Sequence, residues 1–248
     1  MRKPKVWAHR GAAGWDEQYA PENTINSFEK AVKMGADGIE FDVQLTKDNE
    51  VIVIHYERID RTGHEKGWVK DFNLAELKKI NFNKTHPKQG FVEIPTLKEV
   101  LELMKKNEID INIEIKTGLI YYDKIEEKIY EKVELMGFSE RVTYSSFNHY
   151  SLKRIKNIAK KANVALLCME NFIDIPRYSN LFNAVAINPS LSLVKKNNII
   201  EECHNNSLEV NVWTVDSKAD MRSMCEMEVD GFFTNCPDNA RKIVDDYL

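Results

Sequence analysis

Residues 38–55 read GIEFDVQLTKDNEVIVIH and place two short apolar runs one after the other. In Gly38–Val43 apolar and polar residues alternate, and in Val51–His55 four apolar residues precede a histidine. Both runs have the length and composition of β-strands. Only seven residues separate them, whereas the helical crossover that joins parallel strands usually needs about a dozen or more. The stretch therefore forms either a hairpin or a crossover through a bare loop, and the sequence leaves both open.

Seven further apolar runs occur outside this stretch, and amphipathic segments lie between most of them. The runs are Val6–His9, Asp110–Ile115, Arg141–Ser145, Val164–Cys168, Ala184–Ile187, Glu209–Val215 and Gly231–Thr234. Strands that alternate with helices are typical of a parallel sheet, and the chain of 248 residues matches the usual length of about 250 for an α/β barrel. We predict the α/β class and a somewhat distorted (β/α)8 TIM barrel, with one of the nine candidate strands short or outside it.

The helical segments carry apolar residues at the spacing of an α-helix. Ile125, Ile129 and Val133 recur every four residues, and Thr96 with Glu99 has the pattern of a capping box. The stretch after His55 differs because it is polar, rich in Lys and Asn, and only weakly periodic. We expect residues 56–95, approximately, to form a small insertion after the third strand, and residues 1–248 to form a single barrel domain.

The composition excludes several classes of protein. The chain is 43% hydrophobic, too apolar for a disordered protein, and its net charge of −4 with a pI of about 5.9 argues against a nucleic-acid partner. No run approaches the roughly 18 apolar residues of a membrane span, and no apolar stretch follows the basic first residues as in a signal peptide. We expect a cytoplasmic protein without a membrane segment, whose four cysteines are reduced because a chain of this size does not need disulfides.

Acidic residues occur where the strands of an α/β barrel should be apolar. Glu40 and Asp42 point to one face of their strand, and Glu114 lies late in Asp110–Ile115. A solvated edge strand, or pairing of the acids with Lys116, would explain them without a function. Converging carboxylates instead repel one another unless a cation compensates, and a site of oxygen ligands suits Mg²⁺ or Ca²⁺, with Mn²⁺ also possible. We favour a site for one divalent cation.

Two histidines, His9 and His55, each end a strand candidate. The carboxyl ends of barrel strands are where active sites lie, and two imidazoles of near-neutral pKa can accept and donate a proton in one reaction. Arg10 follows His9 and offers a planar fork that matches a phosphate. Together with a cation and Lys116, these residues suit phosphoryl transfer better than sugar isomerisation.

Seven motifs are spread along nearly the whole chain. They are AHRGAAG from Ala8, PENTINSFEKAVKMGADGIEFDVQLTKD from Pro21, VIVIH ending at His55, NIEIK from Asn112, SSFNH from Ser145, VNVWTV from Val210 and DGFFTNCPD from Asp230. In this order they resemble the glycerophosphodiester phosphodiesterase family, a branch of the phospholipase C-like barrel enzymes. The resemblance implies a distorted (β/α)8 barrel that hydrolyses small-molecule glycerophosphodiesters to sn-glycerol 3-phosphate and an alcohol.

The resemblance also implies roles for individual residues. It implies acid/base catalysis for His9 and His55. It implies divalent-metal binding for Glu40, Asp42 and Glu114, and phosphate contact for Arg10 and Lys116. Trp213 matches an aromatic residue that lines the family's substrate pocket, although plain core packing would explain it equally well. Glu22, within the PENT motif, is expected to order the loop and the helix start rather than to touch substrate.

Two features depart from the family pattern. Tyr56 stands where the family usually has Asp after the second histidine, and residues 15–19 lengthen the loop before the PENT motif. Both departures affect the identity of the substrate more than the type of reaction. Two alternatives therefore stay open. A related phospholipase (phosphatidylinositol-cleaving, sphingomyelinase D-like or lysophospholipase D-like) would need an apolar, lipid-facing surface, and a non-catalytic member would only bind its ligand.

Overall fold

A computed structural model of the protein describes residues 3–170, 173–196 and 198–247, and its strands close into a barrel. The strands are β1 (Lys5–His9), β2 (Gly38–Leu45), β3 (Val51–Val53), β4 (Asp110–Ile115), β5 (Val142–Ser146), β6 (Asn163–Cys168), β7 (Ala186–Pro189), β8 (Glu209–Val212) and β9 (Gly231–Thr234). Eight of them pair in parallel in the order β1-β2-β4-β5-β6-β7-β8-β9, and β1 also pairs with β9. The predicted (β/α)8 barrel is confirmed.

The ninth strand, β3, lies outside the barrel as an antiparallel partner of β2. Leu45 pairs with Val51 and Val43 with Val53, so the chain turns back after β2. Of the two possibilities for residues 38–55, the hairpin is therefore correct. The insertion that follows consequently lies between the second and third strands of the closed barrel.

Helices connect the barrel strands. They are α1 (Ile25–Lys33), α2 (Leu74–Leu77), α3 (Leu97–Met104), α4 (Ile125–Leu135), α5 (His149–Ile158), α6 (Ile175–Asn180), α7 (Leu191–Val194), α8 (Ile199–His204), α9 (Lys218–Glu226) and α10 (Pro237–Asp246). The predicted capping box opens α3, because the Thr96 hydroxyl accepts a hydrogen bond from the Glu99 amide at 3.2 Å and the Glu99 carboxylate accepts one from the Thr96 amide at 2.7 Å. None of the helices in the described ranges is long and apolar enough to cross a bilayer.

The barrel has an apolar outer layer and a largely polar interior. Ile39, Phe41 and Val43 are fully buried and belong to the main apolar core with the surrounding helices. Inside the barrel the Trp7 ring occupies the space beside Gly38, where a Cβ atom would come within 2.4 Å of it. A glycine is needed at that position because any side chain would collide with the indole. The alternation of β2 thus separates core residues from residues that face the barrel interior.

The insertion forms a second apolar cluster together with β3 and the residue after it. Its buried members are Ile52, Ile54, Ile59, Val69, Leu77, Ile80, Phe82 and Ile94. His86 and Gln89 bind it to the loop at residues 11–20, since the His86 Nε2 atom lies 3.0 Å from the Gly14 carbonyl oxygen and the Gln89 amide donates to the Tyr19 carbonyl at 2.5 Å. The insertion therefore lies beside the mouth of the barrel, and it fixes the lengthened loop there. Cys168, Cys203, Cys225 and Cys236 are free thiols, as predicted.

Candidate active site

A cavity opens at the carboxyl ends of the barrel strands. Its lining contains all the predicted site residues except Asp42 and Lys116, which lie directly behind it. The lining residues are His9, Arg10, Glu40, His55, Asn112, Glu114, Ser145, Phe147, Leu167, Asn188, Trp213, Thr214 and Phe233. Residues from opposite ends of the sequence therefore line the same cavity.

Three buried carboxylates meet at one side of this cavity. One oxygen each of Glu40, Asp42 and Glu114 lies within 4.8 Å of the others. They converge because Asp42 and Glu114 are paired residues of β2 and β4, and Glu40 is two residues before Asp42 on the same face. The Asp42 Oδ1 atom is buried and accepts no hydrogen bond in the described structure. This free lone pair and the all-oxygen donor set fit a hard divalent cation.

The electrostatics of the three acids also favour a cation. Burial, with repulsion from Asp42 and Glu114, raises the pKa of Glu40 well above its usual value. Burial and the charge of Asp42 likewise raise the pKa of Glu114 to about 7. Burial opposes ionisation of Asp42 too, but the positive groups at His55, Lys116 and Arg10 lower the pKa of this carboxyl. A bound cation would offset the repulsion that raises the pKa of Glu40 and of Glu114.

Arg10 and Lys116 adjoin the carboxylates. The Lys116 Nζ atom lies 2.8 Å from Glu114 and 3.7 Å from Asp42, while the Arg10 Nε atom lies 3.5 Å from Asp42. Burial alone would lower the pKa of Lys116, but Glu114 and Asp42 raise it overall. Pairing with Lys116 thus accounts for part of the acidic cluster. It does not account for Glu40, whose carboxylate accepts a hydrogen bond from the Arg10 backbone amide at 2.9 Å.

Glu22 lies next to the site, where it contacts Arg10; whether it touches substrate stays a prediction. Its carboxylate lies 3.3 Å from Arg10 Nη1 and also contacts the Arg61 guanidinium from the insertion. Arg61 in turn lies over the Tyr56 ring, 4.7 Å from its centroid. The PENT motif and the insertion therefore support Arg10 together.

His9 has a fixed orientation. Its Nδ1 atom lies 2.9 Å from Asn235 Oδ1, and the Asn235 side chain donates to Asp216 at 2.7 Å. Because a carboxylate only accepts hydrogen bonds, Asn235 must turn its NH₂ group to Asp216 and its oxygen to His9. His9 then carries its proton on Nδ1 and has a lone pair on Nε2. Burial and the neighbouring Arg10 lower the pKa of His9 to about 3.

Asn235 and Asp216 were not predicted from the sequence. A usable signal existed, since Asn235 directly follows β9, at the end of the barrel where active sites lie. The backbone NH group of Asn235 also donates to the Asp216 carboxylate at 2.8 Å.

His55 reaches the cavity by a different route from the one predicted. It does not end a barrel strand, because β3 ends at Val53 and runs against the barrel strands. The hairpin instead carries His55 back to the mouth, where the buried Gln44 side chain donates to the carbonyls of Ile54 and His55 at 3.1 and 3.0 Å. The His55 Nε2 atom lies 4.0 Å from Asp42 Oδ1. Its Nδ1 atom is buried and has no hydrogen-bond partner among the described residues.

The environment of His55 favours the neutral imidazole. Burial lowers its pKa to about 4, although the Asp42 charge acts in the opposite direction. The ring of Tyr56 packs edge-on against the imidazole, with 4.4 Å between the ring centroids. Tyr56 therefore gives His55 an apolar contact at a position where a carboxylate would give it a charge.

Trp213 lies in the cavity wall rather than in the core. Its indole NH donates to the Asn188 carbonyl at 2.7 Å, and its ring meets Phe147 edge to face at 5.4 Å. Its position in the cavity lining argues against plain core packing, and its part in substrate binding stays a prediction. Phe147, which lies within the SSFNH motif, was not predicted to take part.

Comparison with known proteins identifies the family of the chain. The sequence model of the glycerophosphoryl diester phosphodiesterase family matches residues 9–239. A glycerophosphodiester phosphodiesterase of Caldanaerobacter subterraneus is 41% identical over 98% of both chains, and one of Bacillus altitudinis is 38% identical over 96% of this chain and 97% of its own.

Solved structures share the fold. A putative glycerophosphodiester phosphodiesterase from Galdieria sulphuraria superposes with a TM-score of 0.88 over 99% of both chains at 23% identity. An Oleispira antarctica phosphodiesterase, solved in complex with the product sn-glycerol-3-phosphate, does so with a TM-score of 0.85 at 22% identity, over 98% of this chain and 97% of its own. The family match and the full-length relatives together show that the chain belongs to the glycerophosphoryl diester phosphodiesterase family, whose members are phosphoric diester hydrolases.

Proposed function

We propose that the protein hydrolyses glycerophosphodiesters to sn-glycerol 3-phosphate and an alcohol in a metal-dependent reaction that uses His9 and His55 for proton transfer. One observation carries the proposal: three buried carboxylates, two fixed cationic side chains and two histidines of different surroundings meet at one open cavity. The relatives named glycerophosphodiester phosphodiesterase support the substrate class. The product bound to the Oleispira antarctica enzyme supports it further.

Glu40, Asp42 and Glu114 would hold one divalent cation, Mg²⁺, Ca²⁺ or Mn²⁺. Bound there, such an ion supplies positive charge to a phosphate oxygen as the transition state forms. Arg10 and Lys116 add fixed positive charge beside it, in a partly buried site where such charge is worth more than in water. These two residues would orient the phosphate, and the apolar residues across the cavity would receive the organic part of the diester.

The hydrogen bonds around His9 favour it as the general base. Its Nε2 lone pair would take the proton of the nucleophile, while Asn235 and Asp216 hold the imidazolium that forms. His55 would act as the general acid. The negative charge of Asp42, 4.0 Å from its Nε2 atom, and that of a bound phosphate both favour a protonated His55 in the substrate complex.

The proton and bond changes balance whether water or the neighbouring glycerol hydroxyl attacks phosphorus. In either case the P–O bond to the alcohol breaks and the alcohol leaves with the proton from His55. If the glycerol hydroxyl attacks, a cyclic phosphate forms first, and the histidines exchange roles when water opens it. Direct observation of a cyclic phosphate by ³¹P NMR would select the second route.

The test is an assay of glycerophosphocholine and glycerophosphoethanolamine turnover with chelated protein, to which Mg²⁺, Ca²⁺ or Mn²⁺ is then added. We expect turnover only with a cation. H9A and H55A should each lower kcat by about 10²–10⁴-fold, the usual contribution of a general acid or base. E40Q should lose activity and cation binding together.

Matched controls separate chemistry from folding. Two paired residues outside the cavity serve as controls. His204 on α8 pairs with Asp230, and the buried Glu126 pairs with Arg154. H204N and E126Q should therefore retain both cation dependence and kcat. Full activity in chelator, or in either active-site histidine variant, would contradict the proposed mechanism.

The same assay decides between the alternatives. Preferred turnover of a long-chain lysophospholipid would favour the related phospholipases. Tight binding of glycerol 3-phosphate without turnover of any diester would favour a non-catalytic member. The cytoplasmic location and the single domain over residues 1–248 stay predictions from the sequence.

A further inference from the structure

Among the residues that the structure describes, one polar side chain of the cavity has no hydrogen-bond partner and is not used by the proposed mechanism. Asn188 is fully buried on β7, yet neither its Nδ2 nor its Oδ1 atom makes a hydrogen bond in the described structure. Buried side-chain amides are almost always paired, because leaving a polar atom unpaired costs about 1–3 kcal/mol. The other asparagine of the cavity, Asn112, accepts a hydrogen bond from the Ser145 hydroxyl at 2.6 Å. The free amide of Asn188 therefore points to a partner that comes with the ligand.

Barrel topology places Asn188 across the cavity from the acids. In the closed ring β1-β2-β4-β5-β6-β7-β8-β9, β7 is four strands away from β2 in either direction, so the two strands lie opposite each other. Leu167, its pairing partner on β6, and Trp213 on β8 lie on either side of it. The amide is thus a polar group in a mainly apolar part of the lining, on the strand opposite the one that carries Glu40 and Asp42.

The chemistry of the amide indicates what it binds. A side-chain amide offers a donor and an acceptor side by side without charge, and an alcohol hydroxyl likewise donates and accepts. A phosphate oxygen fits less well, since it only accepts and since the positive groups Arg10 and Lys116 lie near the carboxylates instead. We propose that Asn188 is a specificity-determining residue that hydrogen-bonds a terminal hydroxyl of the diester's organic part, the one remote from the phosphate, held in the cavity beside Trp213. This inference rests on the proposed function and adds to it the recognition of a substrate hydroxyl.

The hydroxyl could belong to the glycerol moiety or to the leaving alcohol, and substrate analogues distinguish the two. The parent substrate is glycerophosphoethanol, whose ethanol carries no spare hydroxyl. The second diester replaces glycerol by 1,2-propanediol, and the third replaces ethanol by ethylene glycol. Each analogue removes or adds a single hydroxyl and leaves the phosphate unchanged, so the cation side of the site serves as an internal reference.

The experiment measures kcat and KM of wild type, N188A and N188S on the three diesters. We expect N188A to lower kcat/KM by about 10- to 100-fold for the diester whose hydroxyl it binds, which is the penalty for an unpaired buried group. For the diester without that hydroxyl, N188A and wild type should differ by less than about threefold. N188S, whose hydroxyl also donates and accepts, should recover part of the loss.

Asn211 provides the control because it is a buried barrel asparagine whose oxygen already accepts from the Trp7 indole at 3.3 Å. N211A should affect all three diesters by the same factor. N188A should melt no lower than wild type, because it removes an unpaired buried amide, and its cation binding should match that of wild type. A uniform loss over all three diesters in both N188A and N188S would overturn the inference, since Asn188 would then only fill the barrel or bind water. Failure of the proposed function is distinguishable, because wild type itself would then turn over none of the diesters.

Discussion

The two histidines of the site have opposite surroundings. His9 belongs to a barrel strand, and the chain of Asn235 and Asp216 fixes both its ring orientation and the nitrogen that carries the proton. His55 lies in the connection after a hairpin, where Gln44 holds its backbone but its ring has only a distant acid and the edge of Tyr56. The ring orientation and protonated nitrogen are therefore fixed in His9, whereas those of His55 are free to respond to a bound ligand.

This difference indicates how the two would share the reaction. A base must offer a lone pair before substrate binds, and a fixed tautomer meets that need. An acid must acquire a proton that burial disfavours, so its state should follow the charge of the bound phosphate. The barrel strand that carries His9 would supply the first condition, and the position of His55 after the hairpin, without a hydrogen-bond partner for its ring among the described residues, would supply the second.

The largest expected effect concerns a property that both histidines share, which is burial in the neutral form. An unfolded histidine takes up a proton near pH 6.5, but the pKa of folded His9 is about 3 and that of folded His55 about 4. Between these values the unfolded chain binds more protons, so stability is lost as the pH falls. In chelator, H9N and H55N should each gain about 3 kcal/mol relative to wild type between pH 7 and pH 4.

Urea unfolding at several pH values measures this gain. Relative stabilities that do not change with pH would show that the two imidazoles are not buried as neutral groups. A gain for H9N alone would sharpen the comparison, because it would mean that Asp42 already keeps His55 charged in the free protein. H204N serves as the control, since His204 adjoins Asp230 and lies outside the cavity.

The second expected effect applies to His9 only. N235A removes the group that fixes the His9 tautomer, and kcat should fall by about 10- to 100-fold, as is usual when the orienting partner of a functional histidine is lost. KM should change little, because Asn235 is not part of the cavity lining. The ¹⁵N shifts of His9 should show a mixture of tautomers in N235A and one tautomer in wild type. An unchanged kcat would mean that Nδ1 needs no partner and that the two histidines are alike.

Sequence reasoning succeeded where local periodicity determines position. The alternation in β2 and β4 places Glu40, Asp42 and Glu114 on the interior face, and parallel pairing of the two strands brings the acids together. That inference needs the order of the strands in the barrel, but it needs no knowledge of loop conformation. The barrel itself follows from the same repeated pattern.

The remaining parts depend on contacts that no local pattern contains. Asp216 and Asn235 are 19 positions apart and meet only because β8 and β9 are neighbours in the closed barrel. The path of His55 depends on whether seven residues form a turn or a crossover, and the buried Gln44 that stabilises the turn reads in the sequence as one more polar residue. Likewise the free amide of Asn188 is visible only when every neighbour has been placed.

The smallest expected effect applies to His55 only, through Tyr56. The Tyr56 ring is sandwiched between the edge of His55 and the Arg61 guanidinium, and 45% of the residue remains exposed. Y56A should lower kcat/KM by about two- to tenfold, because an aromatic contact of this kind is worth about 0.5–1.5 kcal/mol. Y56F keeps the ring and should differ from wild type by less than about twofold.

Tyr56 also provides the most direct way to make the two histidines alike. Y56D places a carboxylate beside His55, which should raise the pKa of the imidazole and move the pH optimum of kcat to a higher value. The matched control is E57D, which shortens the side chain at the next position but keeps its carboxylate. It should leave the pH profile of kcat unchanged. If the profile of Y56D coincides with that of wild type, His55 is not the group whose protonation limits the reaction, and the assignment of acid and base must be reversed. Y56D could instead shift the pH profile of kcat but not that of kcat/KM. The proton would then be gained or lost in the substrate complex, where the bound phosphate acts on His55.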